Sequence, residues 1–324
     1  MTQSLPLPLS ARPYSERSSG PTLASERTPD LPGCEPFFIT EDEATTYEGR
    51  IEAWNARTRT AWRVSAPTSI YHELPSGRLG RLAERIASVR GSPVECFGSA
   101  DLVRRDAAGR REWVLQADEM LYLHPGRGHP SGAAMEVGED VPPDVLLEVD
   151  HTTDVRRWKL GMYMEWGFPE LWVLVPWRES VRARGLDIHV RMEGGGYRRS
   201  RESVAIPGWR VEEIHRALTE EPVSEATWRA VERVGRAMGM REGTRPEDDP
   251  LTRSLSAAAR AEGRTEGWAE AVRTVLRARG IPTAPGFTAD PGLFAGVGLD
   301  TLMVVAQTCT DEEDFLRRIA GARA

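Results

Sequence analysis

The residues with the most chemical potential lie in one stretch, LLEVDHTTDVRRWKLGMY, residues 146–163. An apolar run there ends in Glu148 and Asp150, and Lys159 and Tyr163 follow in a helix-like pattern. Burying an acid is costly unless it is paired or holds a cation, so acids closing an apolar run need a reason. Upstream, the run WVLQAD closes on Asp118. Side chains alternate along a strand, which puts Glu148 and Asp150 on one face with Leu146, and Asp118 on one face with Val114 and Gln116. If the two strands are neighbours, Asp118 and Glu148 converge. Two carboxylates suit a hard cation such as Mg²⁺, which activates water and polarises a phosphate. Lys159 is then placed to orient the attacking water or offset developing charge. On spacing alone, the acids fit helix caps or solvated strand ends better, and Lys159, Arg156 and Arg157 a solvated helix face.

Several elements must position these groups. EGRIEAWNARTRTAWRV predicts two short strands around a polar turn. PSGRLGRLAERIASVRG predicts a helix, with Leu79, Leu82, Ala83 and Ile86 on one stripe and Gly91 as its stop. VECFGSADLVRRDAAGRREWVLQADEMLYL reads as a hairpin turning at DAAG, and PDVLLEVD as a strand. TTDVRRWKLGMYMEWG reads as a helix capped by Thr152 or Thr153, and PELWVLVP as a central, doubly covered strand. LDIHVRMEGGGYRRSRE is a second hairpin. Strand, helix, apolar strand predicts two parallel or nearly adjacent strands, hence a mixed α/β fold: one mixed sheet flanked by helices. Beyond about residue 220 the pattern turns helical. Residues 257–324 read as a helical extension with a stripe of Trp268, Ala271, Val272, Val275 and Leu276, suited to self-packing or a homodimer seam. A capping box of Thr310 with Glu313 opens the last helix.

Composition bounds the class. The 324 residues are 40% hydrophobic and 28% charged, with a formal net charge of −7, which argues against non-specific coating of nucleic acid but not against a local basic groove. Arg178, Arg182 and Arg184 are candidates for such a groove or for a solvated rim. Three widely spaced cysteines, Cys34, Cys96 and Cys309, fit no zinc or disulfide framework and point to a reducing, cytoplasmic setting. The sequence has no apolar run long enough to span a membrane. Residues 1–38, rich in Pro, Ser and Arg, read as a disordered leader, with ordered structure beginning around CEPFFIT.

PPDVLLEVDHTTDVRRWKLGMYMEWGFPELWVLVP resembles the signature of the Uma-two family of restriction-endonuclease-like proteins: Pro-Asp, an apolar run to Glu-Val, a polar turn, Lys, Tyr, and Gly-Phe-Pro-Glu before an apolar strand. QADEMLYL, RIEAWNARTRTAWRV and the segment ending IPGWRVEEI are similar to flanking parts of the family, so the resemblance covers roughly residues 40–218. It implies a restriction-endonuclease-like domain over 39–220 and metal-dependent phosphodiester hydrolysis of the PD-(D/E)XK kind, with Mg²⁺ or Mn²⁺ as cofactor and DNA as substrate; residues 221–256 read from their own pattern as a helix and charged linker. It implies Asp118, Glu148 and Lys159 as catalytic residues. Asp118, Glu148 and the Val149 carbonyl are the implied metal ligands, with Glu52 and Asp150 as further candidates. Tyr163 is implied to pack against or orient Lys159. The strand lysine usual two residues after the glutamate would fall at Asp150, so either Lys159 substitutes for it or Asp150 adds a third carboxylate. The alternative function is an inactive module of this fold that binds nucleic acid or protein.

Overall fold

The computed structural model describes residues 24–65, 69–176, 183–284, 287, 294 and 296–322. The chain runs through β1 Cys34–Phe38, α1 Glu41–Thr45, β2 Ile51–Asn55, β3 Thr60–Val64 and α2 Ile70–Arg90. It continues with β4 Glu95–Gly98, β5 Asp101–Arg105, β6 Arg111–Gln116, β7 Glu119–Tyr122, β8 Ala134–Glu136 and β9 Val145–Val149. Then come α3 Lys159–Trp166, β10 Glu170–Val175, β11 Gly185–Arg191, β12 Tyr197–Ser200, α4 Val211–Thr219 and α5 Glu225–Glu242. Contacts divide the chain into two units, 1–246 and 247–324.

The first unit is mixed α/β, as the sequence predicts, but it has two six-stranded sheets rather than one. Their orders are β1-β3-β2-β6-β5-β8 and β12-β11-β10-β9-β7-β4. Each is antiparallel except for one parallel pair, β5 with β8 and β9 with β10. The long hairpin creates the division. Its outer half, β5 and β6, belongs to the first sheet, and its inner half, β4 and β7, to the second. Both strands break at the same level, at Ser99–Ala100 and Ala117–Asp118, where Ser99 takes a positive φ of 35° and its N–H donates to the Asp118 carbonyl. Alternation read straight through WVLQAD therefore fails at its end, because the strand changes sheets at Ala117.

Within the second sheet the alternation holds and separates two cores. Val145, Leu147, Val149, Trp172 and Leu174 face a core built with α2, α4 and α5. Leu146, Leu171 and Val173 face the other core, shared with α3 and with Ala53, Trp113 and Leu115 of the first sheet. All six residues of β10 are buried, the five apolar ones as their run predicts and Glu170 with them.

Several boundaries differ from the sequence reading. Cys34–Phe38 is a strand paired with β3, and Leu31 is buried, so a disordered leader does not extend to residue 38; residues 1–23 lie outside the described residues. Helix α2 starts at Ile70, five residues before the predicted start, with Pro75 inside it. Its Leu79, Leu82, Ala83 and Ile86 stripe is buried, and Gly91 ends it at φ 79°, where an added Cβ would overlap the Arg245 carbonyl. The segment before α3 is a short 3₁₀ turn, Val155–Arg157, capped by Asp154 rather than by a threonine.

The first unit closes at residue 246, not 220. Val231, Val234 and Met238 of α5 complete the core beside α2, and the close approach is permitted by Gly235, whose Cβ would meet Val89 at 2.9 Å. The second unit is a helical cluster of α6 Pro250–Ala278, α7 Leu299–Thr308 and α8 Glu312–Gly321 around Val272, Leu276, Phe294, Leu302 and Phe315. The predicted linker residues 250–256 form the start of α6, and α8 is capped by Asp311, which accepts from the Asp314 N–H at 2.8 Å, rather than by Thr310. Burying three apolar side chains stabilises by roughly 1.5–3 kcal/mol each, a large part of a domain's about 5–15 kcal/mol. A chain ending at residue 220 is therefore expected to lose cooperative thermal unfolding, whereas one ending at residue 246 keeps it.

Candidate active site

Four of the sequence-predicted residues meet at one buried place where the two sheets adjoin. Glu52 comes from β2 in the first sheet, and Asp118 from the point where the hairpin changes sheets. Glu148 lies on β9 in the second sheet, and Lys159 is the first residue of α3. Their exposures are 2%, 4%, 2% and 1% in that order, so their charges must answer to one another.

Register explains why Asp118 and Glu148 converge. β7 and β9 pair antiparallel, Glu119 opposite Leu147, so the next step of the ladder would set Asp118 against Glu148. The ladder stops there, and the Asp118 carboxylate replaces the missing carbonyl: its Oδ2 accepts the Val149 N–H at 2.7 Å.

Lys159 ties the acids together. Its Nζ donates to Glu52 Oε1 at 2.6 Å, to Glu148 Oε2 at 2.9 Å and to the Gln116 carbonyl at 2.8 Å. Tyr163, one helical turn on, donates its hydroxyl to Glu148 Oε1, and its ring lies 5.7 Å from the Lys159 ammonium. Tyr163 thus orients Glu148 directly as well as packing beside the lysine. Among the described residues Glu52 Oε2 is a buried oxygen without a hydrogen-bond partner.

Two site residues escaped the sequence reading. Arg50 Nη2 donates to Asp118 Oδ1 at 2.5 Å and stands 3.7 Å from Glu52 Oε2. His72 Nε2 lies 3.3 Å from the same Asp118 oxygen. Arg50 lies just before β2, and the pairing of β2 with β3 is irregular between Ile51 and Ala53, so simple strand alternation does not place it beside Glu52. His72 was hidden because the helix was read as beginning at Pro75; the extra turn carries His72 to Asp118.

Other candidates fall elsewhere. The Asp150 carboxylate accepts the Val155 N–H at 3.0 Å and so pins the turn that delivers Lys159. The Val149 carbonyl accepts the His151 N–H at 3.0 Å. Arg184 donates to Thr219 Oγ1 at 3.0 Å, while Arg178 and Arg182 lie outside the described residues.

The electrostatics follow from burial against pairing. Burial opposes the Lys159 cation, but Glu148 and Glu52 outweigh it and hold the ammonium charged well beyond the usual lysine range. Burial also raises the Asp118 carboxyl, yet His72 and then Arg50 overcome this and lower it below the usual carboxylate range. Glu148 goes the other way: burial raises its pKa, Lys159 opposes, and the charges of Asp118 and Glu52 add to the rise. Burial, with the Asp118 charge second, pushes Glu119 up to about 7.

No protein-family profile matches the sequence, and no curated protein does. The solved structures include a "putative nuclease belonging to DUF820" from Anabaena variabilis, DUF820 being another designation of the Uma-two family. It is 9% identical, and the match covers 56% of this chain and 99% of that one at a TM-score of 0.37. That likeness is too distant to inform the chemistry, which is read from the site's own geometry.

Breaking a buried ion pair strands its partner at a cost of about 3–5 kcal/mol. Lys159→Met is expected to lose that much in urea denaturation at neutral pH, and adding Glu52→Gln to recover part of it, a coupling that a double-mutant cycle measures. Glu119 binds its proton more tightly folded than unfolded, so its contribution to stability falls as pH rises from about 4.5 to about 7. Glu119→Gln should therefore exceed the wild type by about 1–3 kcal/mol at pH 8, with the gain vanishing near pH 4; an equal gain at both pH values would refute this.

Proposed function

We propose that this protein is a divalent-cation-dependent nuclease hydrolysing phosphodiester bonds, with DNA as substrate and Mg²⁺ or Mn²⁺ as cation. The observation that carries the reading is the meeting of Glu52, Asp118 and Glu148 from three separate elements around Lys159. The donor chemistry fits a hard cation: the acids offer oxygens only, and Glu52 Oε2 is buried with no hydrogen-bond partner among the described residues, Arg50 standing 3.7 Å away. Asp118 and Glu148 would hold the cation, with Glu52 supplying a further oxygen. Such a cation lowers the pKa of a bound water and polarises the phosphoryl oxygens.

The chain's own residues supply the rest. Lys159 presents a charged ammonium beside Glu148, placed to offset charge developing on the phosphate. Tyr163 keeps Glu148 from rotating away, and Asp150 fixes the turn leading to Lys159. All three cysteines are free thiols, which supports a reducing compartment such as the cytoplasm. No helix among the described residues is long and apolar enough to cross a membrane.

A second reading has its own observation. Among the described residues no group of three or more His, Cys, Asp or Glu side chains is arranged to hold a metal ion as it stands; the acids are paired instead with Arg50 and Lys159. A module of this kind would bind nucleic acid without cutting it. The test is cleavage of plasmid and single-stranded DNA with Mg²⁺ or Mn²⁺. Glu148→Gln is expected to lower the rate by roughly 10²-fold or more. Binding without cleavage by the wild type would favour the second reading, and equal cleavage by wild type and variant would reject the site.

A further inference from the structure

Arg50 occupies the place where a cation would be expected. Its guanidinium contacts Asp118 Oδ1 at 2.5 Å and stands 3.7 Å from Glu52 Oε2. Asp118 Oδ2 is committed to the Val149 N–H. Oδ1, already shared by Arg50 and His72, is therefore the oxygen Asp118 has to offer. Glu52 Oε1 is taken by Lys159, and Oε2 is the oxygen facing Arg50. The two oxygens best suited to a cation by position are thus the two that Arg50 faces.

We infer that Arg50 is a built-in counter-ion of the acid pair Glu52 and Asp118, and that a divalent cation enters the site only as the Arg50 guanidinium leaves it. The inference rests on the cation-dependent reading of the site. A divalent ion and a guanidinium drawn to the same two carboxylate oxygens repel each other, so each weakens the other's hold on them. The side chain has somewhere to go. Arg50 is a quarter exposed, and its Nη1 is 4.0 Å from Glu73 Oε1 on α2, a carboxylate open to solvent. Lys159 has no such freedom, being enclosed by Glu52, Glu148 and the Gln116 carbonyl. Of the two cations in the cluster, Arg50 is the displaceable one and Lys159 the fixed one. Arg50 is therefore a positioning residue that sets cation affinity, and its effect should appear in binding measured without any substrate.

The experiment is Mn²⁺ titration by isothermal calorimetry of the full chain, comparing wild type with Arg50→Gln, Arg50→Lys and the charge control Arg156→Gln. Circular dichroism melts establish that each variant is folded. The expected result is that Arg50→Gln binds Mn²⁺ at least tenfold more tightly than wild type. Arg50→Lys keeps a competing charge and falls nearer wild type, and Arg156→Gln changes affinity less than twofold. Unchanged or weaker binding by a folded Arg50→Gln, where the wild type binds, overturns the inference and leaves the cation site standing. An equal gain in Arg156→Gln also overturns it, since net charge rather than displacement would then be the cause. If neither wild type nor Arg50→Gln binds Mn²⁺, the cation-dependent reading falls and takes the inference with it.

Discussion

An ammonium taken out of water costs several kcal/mol unless carboxylates and carbonyls replace its hydration. Lys159 is such a group, and three oxygens from three elements replace its water: Glu52 on β2, Glu148 on β9 and the Gln116 carbonyl at the end of β6. Each contact binds α3 to a different part of the fold. The lysine therefore fixes how the helix sits over the meeting of the sheets. Without it, two acids would be left buried without their shared cation, so the cluster forms as a unit or not at all.

The change of sheet at Ala117–Asp118 is the second constraint. A hairpin that stayed in one sheet would carry Asp118 away from β9. Because both hairpin strands break at one level, Asp118 lands one step beyond the last β7–β9 pair and takes up the free Val149 N–H. A single side chain thereby ends a ladder, satisfies a backbone donor and joins the acid cluster. The strain visible at this level, the positive φ of Ser99, sits on the opposite strand of the same break.

What was legible in the sequence divides along the same lines. The alternation of β9, the apolar β10 and the stripe of α2 are local and periodic, and they could be read. So could the acids and Lys159, because their spacing matches a family pattern. The split into two sheets could not, since nothing in GSA or QAD marks a change of partner strands. The helical start at Ile70 was masked by Pro75, which reads as a boundary but is tolerated inside α2. That misplaced boundary concealed His72. Arg50 was overlooked for another reason: an arginine at the head of a strand looks solvated until the acid it meets, Asp118, is brought in from 68 residues away. The membership of α5 in the first unit is likewise invisible locally, because an amphipathic stripe does not say which core it completes.

The acids are buried, and one side from which they can be reached is marked by their partly exposed neighbours. Glu52, Asp118, Glu148 and Lys159 are all enclosed. Among the described groups that touch them, solvent meets Arg50 at 26% and His72 at 14%, with Glu73 beyond at 56%. All three stand at the head of β2 or the first turn of α2. Tyr71, partly exposed on that same turn, packs its ring 5.8 Å from His151, just past the end of β9. Solvent therefore approaches the cluster past residues that an incoming cation or phosphate would have to displace or pair with. Arg50 and His72 on that side are both paired with Asp118, and the more exposed Glu73 is acidic, so this approach carries charges of both signs.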